Sequence, residues 1–166
     1  MKKWISLFLS MMCVLTMVGC NTQEEVPDDF SFALTWNVYG VSSYDSETGK
    51  LVKTTDATNP EDYVTNYKLT KEDKEYIYDL LASLDVNSYP DTYNPSNDIS
   101  KPSITLILTV RMDGTEKTIE AKNISDFDAS DDEKAQKFLS VCEEISNRIM
   151  ETEEWNALPE YEKSYR

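Results

Sequence analysis

Ile104, Leu106, Leu108 and Val110 alternate with Thr105, Ile107 and Thr109, and the pair Asp113-Gly114 follows. Apolar residues at every second position put one set of side chains on a single face of an extended chain. An Asp-Gly step reverses such a strand, because both residues tolerate the positive φ of a type I′ turn. Residues 115–121 then return with Lys117, Ile119 and Ala121 on one face. A hairpin patterned in this way needs a second layer to cover its apolar face.

The same period appears earlier in the chain. Phe30, Phe32, Leu34, Trp36 and Val38 alternate with Ser31, Ala33, Thr35 and Asn37, which predicts a half-buried strand. Gly40 suits a bulge or bend, with the strand continuing to Tyr44. Asp45-Ser46-Glu47-Thr48-Gly49 is turn chemistry, and residues 50–54 can return as its hairpin partner. Residues 55–68 contain Asn59-Pro60 without a clear period and read as a surface loop. Thr70-Lys71-Glu72-Asp73 has the form of a capping box, followed by Ile77, Leu80, Leu81 and Leu84 at helical spacing, with an end expected near Asp85. Residues 87–102 hold three prolines among turn formers and read as a long loop. Ser130-Asp131-Asp132-Glu133 resembles a second capping box, opening a helix striped by Ala135, Phe138, Leu139, Cys142, Ile145 and Ile149. The tail, with Trp155, Leu158 and Pro159, can fold back on the domain. The order strand-strand-helix-strand-strand-helix predicts an α+β fold: an antiparallel sheet with two helices packed on one face, in one domain spanning 30–166.

Ahead of that domain stands MKKWISLFLSMMCVLTMVG, in which Lys2 and Lys3 precede an apolar run from Trp4 to Val18. The run is shorter than the roughly 20 residues a stable spanning helix needs, and fits a signal peptide. Met17-Val18-Gly19-Cys20 resembles a bacterial lipobox, with Met17 where Leu is usual. That resemblance implies a diacylglyceryl group on the Cys20 thiol and cleavage before it, so residues 1–19 are a lipoprotein signal peptide. Two acyl chains hold a protein stably where one is marginal. Residues 20–29, polar and carrying Pro27, read as a tether whose nine residues after Cys20 reach at most about 30 Å. The phrases LTWNVYGVSSYDSETGKLVKT and TEEWNALPEYE, together with the lipobox, resemble small uncharacterised lipoproteins of anaerobic Gram-positive bacteria. The resemblance implies a lipid-anchored protein on the extracytoplasmic face of the cell membrane and carries no activity with it.

Composition narrows the chemistry. Removing residues 1–19 from 166 leaves 147, about one domain, and takes the formal charge from −15 to −17 by removing two lysines. So acidic a surface disfavours nucleic acid and anionic lipid headgroups, whose phosphates it repels, and the dispersed basic residues form no phosphate patch in the sequence. Cys13 leaves with the leader and Cys20 is lipidated, so Cys142 stands alone and no intramolecular disulfide is expected. With no histidine in the chain, Ser-His-Asp and Cys-His catalysis and His-containing zinc sites are excluded.

Few residues then offer themselves as a site. The acidic run 126–133 has Asp131 where an EF-hand requires Gly and Lys137 where it requires Glu, and reads as charge favouring a helix start. Asp45, Glu47 and Gly49 are explained by their turn, and Gly49-Lys50 lacks the context of a phosphate loop. Cys142 lies on an apolar stripe and reads as a core residue. No metal, cofactor or catalytic residue is assigned. Among ten tyrosines, Tyr63, Tyr67, Tyr89 and Tyr93 lie in or beside loops rich in Asn, Asp and Pro. They read either as a groove for a glycan or peptide, or as a lid on the core. The expectation is a binding or accessory module of the cell envelope, its partners the membrane through Cys20 and a glycan, peptide or envelope protein. The alternatives are a carboxylate-dependent, glycan-directed hydrolase and a structural subunit of an envelope complex.

Overall fold

Asp113 and Gly114 adopt φ of 53° and 68°, the left-handed pair that the hairpin reading requires. They join two strands paired from Thr105↔Lys122 to Met112↔Thr115. Leu106, Leu108 and Val110 are buried on one side and Ile119 and Ala121 oppose them. The computed structural model describes residues 25–36, 42–54, 62–95, 104–124 and 132–160. Within these, seven strands build one sheet: β1 (Ser31–Trp36), β2 (Ser42–Asp45), β3 (Lys50–Thr54), β4 (Asp62–Asn66), β5 (Thr92–Tyr93), β6 (Thr105–Met112) and β7 (Thr115–Lys122). Their order in space is β4-β3-β2-β1-β6-β7-β5, antiparallel throughout except for β5 beside β7.

The alternation in β1 survives as a strict burial pattern, with Phe32, Leu34 and Trp36 inside and Ser31, Ala33 and Thr35 half-buried. Register carries that pattern sideways. Leu51 opposes Tyr44, Tyr44 opposes Leu34, Leu34 opposes Leu108, and Leu108 opposes Ile119, a continuous buried row across five strands. Cross-strand pairs of this kind are the unit of sheet stability.

The helices supply the second layer. α1 (Lys71–Ser83) is capped by Thr70, whose hydroxyl accepts the Asp73 N–H at 3.1 Å. It buries Ile77, Tyr78 and Leu81, with Leu80 half-buried. It stops because Leu84 caps it and Asp85 turns left-handed at φ 48°. α2 (Glu133–Met150) buries the expected stripe, together with Val141 and Ser146. Its cap is Asp132, which accepts the N–H groups of Lys134 at 2.9 Å and Ala135 at 3.1 Å. The expected cap, Ser130, lies outside the described residues. A third helix, α3 (Glu153–Asn156), brings the tail back, its Trp155 ring 5.6 Å from Trp36. Buried Lys53 reinforces this contact, with Nζ 4.9 Å over the Trp155 ring and donating to the Trp155 and Leu158 carbonyls.

The α+β class stands, but the element order and helix count are corrected. Ser42–Tyr44 does not prolong the first strand; it reverses and pairs back on it, Trp36 facing Ser42. Part of the expected loop 55–68 is β4, aligned on β3 from Thr54↔Asp62 to Lys50↔Asn66. Its β-branched and aromatic residues, Tyr63, Val64 and Thr65, gain a ladder partner that the local sequence could not reveal. The expected loop 87–102 contributes β5 as well as a 3₁₀ turn, Val86–Ser88. The third helix, α3, follows the expected last one.

Half-buried Val26 packs on the core, and the Phe30 N–H donates to the Pro27 carbonyl at 3.0 Å. The leader, the lipobox and Cys20 lie outside the described residues.

Candidate functional site

The four tyrosines do not form one surface. Tyr89 and Tyr93 come together edge to face at 5.5 Å, and both pack on Phe138 of α2. Their hydroxyls are engaged. Tyr89 donates to the Lys134 carbonyl at 2.9 Å and Tyr93 to the capping Asp132 carboxylate at 3.0 Å. Lys134 adds Nζ 4.4 Å above the Tyr89 ring and a bond to the Ser88 carbonyl. Tyr89 is buried at 3 % exposure, and burial pushes its hydroxyl up to about 12. This pair pins the segment before β6 onto the start of α2.

Tyr67 sits elsewhere, buried with its ring 5.7 Å from that of Tyr44. Its hydroxyl joins Thr70 and Arg148 on the Asp73 carboxylate, at 3.2, 2.6 and 2.6 Å respectively. Burial alone raises the pKa of Asp73, but those hydrogen bonds win and hold it below its ordinary 3.8. The cluster ties the β4–α1 connection to α2. Tyr63 is half-buried on the edge strand β4, opposite Lys53.

The other sequence candidates have structural employment. Asp45 Oδ1 accepts the N–H groups of Glu47 at 2.9 Å and Thr48 at 3.0 Å, which closes the β2–β3 turn. Gly49 has φ 75°, and a Cβ there would lie 2.9 Å from the Tyr67 carbonyl oxygen, so glycine is required. Cys142 is fully buried, and its thiol pKa is raised by that burial. Residues 126–131 of the acidic run lie outside the description. Among the described residues, no group of three or more His, Cys, Asp or Glu side chains could hold a metal, and no helix is long and apolar enough to cross a membrane.

A cleft that the sequence reading did not anticipate opens at one end of the sheet, with a volume of about 650 Å³. This is within the range of small-ligand sites, roughly 300–1,000 Å³. Five separate stretches converge there: Asp28 to Ser31, the β2–β3 turn, the β4–α1 connection, Lys74 of α1, and the β6–β7 hairpin tip. Phe30, Leu69 and Met112 supply apolar wall. One corner is closed by Asp29, whose carboxylate accepts the N–H groups of Gly114 at 2.7 Å and Asp113 at 3.2 Å. Consecutive left-handed residues present their amides together as an anion-binding concavity, filled here by the chain's own carboxylate. Those bonds, led by Gly114, keep Asp29 below its ordinary 3.8.

The remaining charges are unevenly matched. Arg111 holds Glu116 with Nε at 2.6 Å and lies 3.7 Å from Glu47 through Nη1. Lys74 lies 5.9 Å over the Phe30 ring. Neither Lys74 nor Lys68 has a carboxylate partner among the described residues. The convergence depends on topology, which brings isolated basic residues on three elements to one opening; no local motif announces it. No family model matches the chain, and no curated protein matches it.

Proposed function

We propose that this chain is a lipid-anchored module on the extracytoplasmic face of the cell membrane, which binds a ligand in the cleft beside Asp29 and performs no catalysis of its own. The cleft carries the reading: about 650 Å³, part apolar, rimmed by charge, and bordered by the residues that follow the tether. The lipobox at residues 17–20 supports the anchoring. The carboxylates of the cleft favour binding over hydrolysis. A general acid needs a raised pKa, whereas Asp29 is held ionised by the hairpin amides and Glu116 is taken up by Arg111.

Two measurements test the two halves of the proposal. Metabolic labelling with a fatty acid marks the wild-type chain and not Cys20→Ser; equal labelling of both overturns the anchoring. Thr115→Trp, at an exposed position on the cleft rim, blocks the opening without touching the core. It abolishes capture of a component from solubilised envelope, and unchanged capture overturns the cleft.

A further inference from the structure

We infer that the ligand taken by this cleft carries a phosphate ester, gripped by Lys68 and Lys74 with Arg111 fixed in the wall behind them. The inference rests on the binding reading above and adds the chemistry of its ligand. In a chain of net charge −15, three cations border one opening. Four carboxylates border it too, but three are already engaged: Asp29 by the hairpin amides, and Glu47 and Glu116 by Arg111. Among the described residues, only exposed Asp28 is left to set against two ammonium groups that have no carboxylate partner there. Lysine is a compact point charge suited to phosphate, and the apolar wall formed by Phe30, Leu69 and Met112 accommodates the carbon portion of an ester.

Position favours a phosphate at the membrane surface. Val26 is already packed on the core, so the free leash from a lipidated Cys20 is the five steps to Glu25, at most about 17 Å. Asp28 and Asp29 lie on the cleft itself, which therefore stays close to the headgroup layer. The acidic bulk of the domain is repelled by an anionic surface. Lys68 and Lys74, without a carboxylate partner among the described residues, supply a local exception. A phospholipid headgroup and a free glycerol phosphate share a glycerol phosphate ester, as diester and monoester respectively, so the test separates them.

The full lipidated chain is reconstituted in vesicles of a phosphate-free digalactosyl lipid, and the amine-acylation rates of Lys68 and Lys74 are read by mass spectrometry. Lys71, 90 % exposed on the neighbouring turn, serves as the internal control. Added glycerol 3-phosphate, or vesicles containing phosphatidylglycerol, should slow both lysines at least fivefold relative to Lys71. Slowing by the vesicles alone assigns the phosphate to a lipid headgroup; slowing by the free ester alone assigns it to a soluble or polymeric source. No slowing in either arm, or the same slowing from sulfate at equal ionic strength, overturns the inference. Lys68→Gln with Lys74→Gln should weaken calorimetric binding of glycerol 3-phosphate at least tenfold with an unchanged circular dichroism spectrum; unchanged binding overturns it equally. If capture through the cleft holds while lysine protection fails, the binding reading survives and only the ligand chemistry falls.

Discussion

Replacing Tyr89 by alanine separates a tyrosine that recognises a ligand from one that holds the fold. The ring is 3 % exposed, with Phe138 at 5.3 Å and Tyr93 at 5.5 Å, and the hydroxyl donates to the Lys134 carbonyl. Truncating a buried aromatic typically costs about 3–5 kcal/mol, because the lost burial and the remaining cavity add. Tyr89→Phe keeps the ring and loses one hydrogen bond, about 1 kcal/mol. For a domain of this size about 3–4 °C of melting temperature goes with each kcal/mol, so Tyr89→Ala should melt about 9–20 °C lower. Urea titrations followed by tryptophan fluorescence measure the free energies directly. The expected order is wild type, Tyr89→Phe, then Tyr89→Ala, with the last well separated. A loss within about 0.5 kcal/mol for Tyr89→Ala, the range of surface substitutions, would refute the core assignment, and loss of ligand capture beside it would restore the recognition role.

Cys142 should resist iodoacetamide in the native chain and react on denaturation, since it is fully buried and its thiol is disfavoured as thiolate; alkylation of the folded protein at a free-thiol rate contradicts that. Asp73 and Asp132 both titrate below their ordinary 3.8 when folded. Each therefore adds stability above about pH 4 that disappears as pH falls through its folded pKa. Urea midpoints should fall from pH 5 to pH 3, and less steeply in Asp73→Asn; a midpoint that rises toward pH 3 refutes the argument.

The parts of this fold legible in the sequence are those whose signal is local. The period of Ile104–Val110 and the Asp113-Gly114 step contain all that the hairpin needs, as do Thr70 and the stripe from Ala135 to Ile149. β4 is different. Tyr63, Val64 and Thr65 are good strand residues, but the segment is short, follows Asn59-Pro60, and becomes a strand only because β3 offers an edge. Thr92 and Tyr93 are a stronger case, since their parallel pairing with Glu120 and Ala121 joins positions far apart in sequence. The tyrosines were visible by composition, while their engagement by Asp132, Lys134 and Asp73 depends on where α1 and α2 dock. The cleft was the least legible feature, because Lys68, Lys74 and Arg111 acquire a common meaning only once three elements share one end of the sheet.

Among the described residues, β1 is both the first strand and the middle strand of the sheet, with three strands on each side. If the module is held by its amino terminus, as proposed above, this has a mechanical meaning. Tension from the anchor reaches the fold along β1, whose ladders to β2 and β6 run perpendicular to the pull. Both ladders must shear together before the strand moves, whereas an edge strand could be peeled off one bond at a time. The Asp29 carboxylate, clamped on the tip of the β6–β7 hairpin, takes up load before it enters the sheet. The edge strands β4 and β5, each paired on one side only among the described residues, stand outside that line.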